Sequence, residues 1–168
     1  AQAVVSKVEE AVKRVVDKID SGAAVVLARN SRRVTTPTQE PEKKVTAKDF
    51  FVFGLTTFSR TSTDAFKNEI IEFNKADTNN IIMDLRNNGG GYVDVAVDIA
   101  SYFLPEGATV FTEKRGKDKE ETIYKSKGYK LLKNPEKLKL VILVNKNTAS
   151  ASEILAGALR DYGIATII

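Results

Sequence analysis

Apolar residues recur along this chain at two periods, and the switches between them mark its elements. Val8, Val12, Val15 and Ile19 follow a capping box of Ser6 and Glu9 at helical spacing, and Ser21-Gly22 ends the pattern. A helix is predicted there, over about 5–19. Residues 23–28 and 32–36 read as strands around a turn at Asn30-Ser31, followed by a linker between Pro37 and Pro41. From Phe51 onward, short apolar runs alternate with amphipathic stretches. Strands are predicted at 51–58, 81–85, 109–113, 138–144 and 164–168, with helices at about 63–75, 92–103 and 150–161. Phe66, Ile70 and Phe73 give the first of these helices one apolar stripe. Val93, Ala96, Val97, Ala100 and Leu104 do the same for the next, which Pro105 ends. Such stripes are core packing, not a cofactor box. The alternation predicts an α/β core with a mostly parallel sheet, whose reactive groups lie on loops at strand C-terminal ends.

Composition narrows the class without naming a chemistry. At 168 residues the chain fits one compact domain. No apolar run approaches the ~20 residues of a membrane span. The sequence has no cysteine and no histidine, so disulfides are excluded, and neither a zinc site nor any other cofactor is expected. The net charge of +4 is concentrated between Glu113 and Lys139, with ten Lys/Arg against five Asp/Glu. Mixed signs and only Tyr124 and Tyr129 as aromatic neighbours predict a solvated hairpin and connecting loop there, not a nucleic-acid surface.

Two loops carry the candidate chemistry. Leu138–Val144 runs into the small-residue stretch Asn145–Ser152 and then a helical pattern. That order sets a serine hydroxyl against a helix N-terminus, where negative charge is favoured. By itself a serine at a helix start is an N-cap. Upstream, Ile81–Leu85 leads into Arg86-Asn87-Asn88 and three glycines, Gly89–Gly91, whose backbone N–H groups carry no side-chain obstruction. One loop supplies a nucleophile and the other an oxyanion donor, the pair that acyl transfer needs.

These segments, with Gly54–Ser59, Ala96–Ala100 and Val144–Gly163, resemble in order and spacing the C-terminal processing peptidases (tail-specific proteases). These are serine peptidases with a Ser/Lys dyad on a Clp protease/crotonase-like core. The resemblance covers Phe53 to Ile168. It implies proteolysis near the C-termini of protein or peptide substrates and an extracytoplasmic (periplasmic or lumenal) location. It makes Ser150 the nucleophile, ahead of Ser152, and the N–H groups of Gly91 and Ala151 the oxyanion donors. Glu153 matches an acidic position near the dyad, and is read equally as a first-turn carboxylate complementing the helix dipole. Asp161 matches a further position that the family uses near the site. Residues 1–45 are similar to the closing part of a PDZ domain, leaving 46–168 as the peptidase core.

The departure concerns the base. The family's lysine follows its serine by roughly two dozen residues, beyond Ile168. No histidine or Ser-x-x-Lys spacing replaces it, and Lys146 reads as solvated. The expectation is a fragment shortened at both ends and nearly inactive alone. The alternatives are a non-enzymatic binding protein on the same fold, as in the vertebrate retinoid-binding relatives of these peptidases, or an engineered or rearranged chain.

Overall fold

A computed structural model describes residues 49–116 and 120–168, and Phe50–Ile168 forms a compact unit of its own. The helix predicted at 5–19, the strands at 23–28 and 32–36 and the PDZ-like segment all lie outside the described residues. Chain order within the unit is β1 (Phe51–Gly54), α1 (Ser62–Lys75), β2 (Asn80–Asp84), α2 (Val93–Ala100), β3 (Thr109–Lys114), β4 (Glu121–Lys125), β5 (Lys139–Leu143), α3 (Ala151–Asp161) and β6 (Ala165–Ile167). A short 3-10 turn, Pro135–Lys137, leads into β5.

Strands β1, β2, β5 and β6 form one parallel sheet in that spatial order. Each new strand is therefore added on the same side, and right-handed crossovers place the connecting helices on one face. Accordingly α1 packs against α2, and α2 against α3. Register accounts for the core. Phe51, Ile81, Leu140 and Ala165 form one cross-sheet row, and Phe53, Met83, Ile142 and Ile167 another. Both rows join the hydrophobic core. The intervening row, Val52, Ile82, Val141 and Thr166, points to the opposite face, yet Ile82 and Val141 are also buried. Central strands buried on both faces read as unbroken apolar runs, which is why 81–85 and 138–144 show no alternation.

The apolar stripe of α1 docks where its spacing predicts. Phe66 meets Phe53, Tyr102 and Phe103 with ring centroids 5.3, 5.4 and 5.9 Å apart. Two expected elements are shorter than their pattern. The strand predicted at 51–58 ends at Gly54, because the chain leaves β2 to pair with the glycine loop through Phe58 and Gly91. The helix predicted at 92–103 ends at Ala100, where the Ser101 hydroxyl donates back to the Val97 carbonyl at 2.7 Å. The basic stretch is a hairpin, with β3 and β4 antiparallel and separate from the main sheet.

Candidate active site

Strands β2 and β5 are direct neighbours, with Asp84 opposite Leu143. The loops that follow them leave the sheet at the same edge. Leu85 N–H extends the ladder to Leu143 O at 2.9 Å, and the two loops then bond to each other. Thr148 Oγ1 donates to Leu85 O at 2.8 Å. Asn145 exchanges hydrogen bonds with Asn87, both at 3.0 Å, and Asn147 donates to the Asn87 side chain at 2.9 Å. At the base of the first loop, Arg86 makes a bidentate pair with Asp84 at 2.8 and 2.6 Å, which holds its guanidinium above the usual arginine range.

Asn88, fully buried, is the hub of the arrangement. Its amide donates to Leu55 O at 2.7 Å and its side-chain oxygen accepts Gly90 N–H at 2.9 Å. Its backbone carbonyl accepts Ala149 N–H at 3.1 Å and the Ser152 hydroxyl at 3.0 Å. One residue thus ties together the segment after β1, the glycine loop and the serine turn. Sequence reasoning did not single it out. Its signal was an asparagine two residues ahead of a glycine, the spacing of an Asx turn.

Gly90 and Gly91 are glycines for steric reasons. With φ at +101°, a side chain on Gly90 would meet Ala149 O and Ser150 Cβ at 2.8 Å and Ala151 N at 2.9 Å. The glycine backbone therefore lies directly against the serine turn. With φ at +143°, one on Gly91 would meet Phe58 O at 2.4 Å. The Gly90 carbonyl is held by Phe58 N–H at 3.0 Å and Thr57 Oγ1 at 3.3 Å. Carbonyl and N–H point oppositely in a trans peptide, so the Gly91 N–H turns away from that segment. Among the described residues nothing bonds it, nor the N–H of Ala151.

The structure separates the two candidate serines. Ser152 is fully buried and its hydroxyl is spent on Asn88. Ser150 is exposed and sits at φ 56°, ψ −120°, a region that non-glycine residues rarely occupy. Such strain costs about 1–3 kcal/mol and gathers at functional turns. At the start of α3, Glu153 supplies the carboxylate half of a capping box. The Ser150 N–H donates to Glu153 Oε2 at 2.8 Å, and Glu153 N–H reaches the Ser150 carbonyl at 2.9 Å. Glu153 therefore braces the turn through the backbone. Asp161 stands at the other end of α3, roughly 16 Å away at 1.5 Å per residue, and pairs with Arg160 at 2.8 Å. That distance removes it from the site. Lys146 is exposed on the turn before Ser150, and among the described residues no basic side chain is bonded to the Ser150 hydroxyl.

Comparison with known proteins points one way. The family profile described as Peptidase family S41 matches residues 52–168. A probable CtpA-like serine protease of Staphylococcus epidermidis is 40% identical over 66% of this chain and 22% of its own length. One from Staphylococcus aureus is 32% identical over 95% of this chain and 33% of its own. The chain thus spans about a fifth to a third of the length of these curated relatives. Among solved structures, a photosystem II D1 C-terminal processing protease superposes with a TM-score of 0.60 and 34% identity, over 69% of this chain and 29% of that one.

Proposed function

This chain belongs to peptidase family S41, and from that membership and the geometry around Ser150 we propose that it carries the nucleophile and oxyanion hole of a serine endopeptidase of the C-terminal processing type. The observation that carries the reading is the pair of unoccupied N–H groups, Gly91 and Ala151, beside a strained, exposed serine. Ser150 Oγ attacks the substrate carbonyl carbon and gives up its proton to a base. The carbonyl electrons move onto oxygen, where the two N–H groups receive the charge. Collapse expels the amine, which takes the proton, and water then hydrolyses the acyl-enzyme. One oxyanion donor is worth about 10²–10³ in rate.

On this reading the base is a lysine amine, as the resemblance to the Ser/Lys peptidases implies. General-base help contributes about 10²–10⁴-fold, so these residues alone turn over slowly. The resemblance also implies an extracytoplasmic location, which cell fractionation of the source organism tests. Turnover of a peptide with an apolar C-terminus, measured for this chain, for its Ser150→Ala variant and for a form extended through a family lysine segment, tests the chemistry. Activity that appears on extension and vanishes in Ser150→Ala is expected. Silence in every form would leave Ser150 a helix cap and favour a binding role.

A further inference from the structure

We propose that Arg60 reads a substrate carboxylate beside the Ser150 turn, an inference that rests on the peptidase reading above and adds a specificity element to it. The segment that carries Arg60 forms one bank of the glycine loop. Phe58 bridges to Gly91, and Tyr92 N–H donates to Phe58 O at 2.8 Å. Two residues further along, the Arg60 guanidinium lies over the Tyr92 ring, 4.2 Å from its centre. Its NH1 meets Asp94 Oδ2 at 2.5 Å. Tyr92 directly follows Gly91, so at most about 7.6 Å of backbone separates its Cα from that of Gly90 at the serine turn. An extended peptide advances about 3.3 Å per residue. A substrate that runs a few residues from a carbonyl at Ser150 along this bank can therefore reach the guanidinium.

Arg60 suits that task better than it suits a strut. Its side chain is 68% exposed and that of Asp94 58%, and ion pairs so open add little to stability. Asp94 lies in the first turn of α2, where a carboxylate is favoured without a partner. A guanidinium has five N–H donors, and among the described residues Asp94 takes only NH1. Stacking on Tyr92 holds the plane still while its remaining edge faces solvent, the arrangement that suits bidentate capture of a carboxylate. Either a free chain end or an acidic side chain supplies that group.

The test is a titration of the full ¹⁵N-labelled chain, followed at the amides of Gly91, Tyr92 and Ala151. One short apolar peptide is used in three forms: with a free carboxylate end, with an internal Glu and an amidated end, and neutral throughout. At least one charged form should bind about threefold tighter than the neutral form, and which one does so identifies the source of the carboxylate. Arg60→Gln should erase that advantage and leave neutral binding unchanged. Asp94→Asn, which removes a competing anion, should enlarge it. Equal binding of all three forms, or an Arg60→Gln loss shared by all, would overturn the proposal and leave Arg60 a structural tie. No shift at any of the three amides with any form would overturn the peptidase reading with it.

Discussion

Ser150 holds its unusual backbone because its neighbours leave it no other. Asn88 accepts Ala149 N–H on one side, and Glu153 accepts Ser150 N–H on the other. The Asn88 brace is its backbone carbonyl and survives substitution, but the Asn88 and Glu153 side chains differ in burial, and that sets the outcome of removing each. Asn88→Ala strands the Gly90 N–H and the Leu55 carbonyl inside the protein, at about 1–3 kcal/mol for each group. Urea unfolding should show a loss of at least about 2 kcal/mol. Glu153 is exposed, so Glu153→Ala should cost about 1 kcal/mol. Glu153→Gln keeps an acceptor for the Ser150 N–H. In an active, lysine-complete form it should retain most of its turnover, whereas a carboxylate acting in proton transfer would lose nearly all of it. Ser150 was singled out in the sequence through the family motif it matches, since a serine before a helix is by itself an N-cap. Asn88 was not, because its importance comes from contacts with Leu55 and Ala149, both remote in the chain.

Among the described residues the helices and strands followed their periodicity closely, and the differences arose where a side chain competes with the backbone. Ser101 closes α2 early, and it also accepts Lys127 N–H at 2.9 Å, fastening the segment after β4 to the helix end. Tyr102 and Tyr129 meet there as a tilted pair with centroids 4.8 Å apart, and Lys127 reaches Asp98 at 2.5 Å. Nothing local encodes these ties, so the sequence read them only as solvated loop. They carry a pH signature. Burial pushes the Tyr102 hydroxyl above its usual range, and a hydrogen bond to Asp98 raises the Lys127 ammonium. Both groups hold their protons longer folded than unfolded, so their contribution is complete below about pH 10 and is lost as pH rises beyond it. The denaturation midpoint should therefore fall as the pH rises above about 10. Tyr102→Phe, which cannot ionise, should flatten that fall.

At the scale of the whole unit, β2 and β5 are the least exposed strands and the ones from which both site loops spring. Hydrogen exchange should find Ile81–Met83 and Leu140–Leu143 opening only with global unfolding, and the β3–β4 hairpin opening locally and faster. Equal rates in the two regions would contradict this. The parallel core was legible because a strand buried on both faces leaves an unbroken apolar run. Strand order left no such trace, since pairing partners are chosen by chirality and packing. The order β1-β2-β5-β6 also has a consequence during synthesis. A nascent chain leaves the ribosome with its glycine loop first, and the residue that bends against it follows some sixty positions later. Until β5 has emerged and docked, Ser150 cannot be brought to that loop. The hypothesis that follows is that the emerging polypeptide cannot attack its neighbours while it is being made. Chains stalled with Val144 clear of the exit tunnel should leave a serine-directed phosphonate probe unreacted, and released chains extended through a family lysine segment should take it up; labelling of the stalled chains would refute the idea.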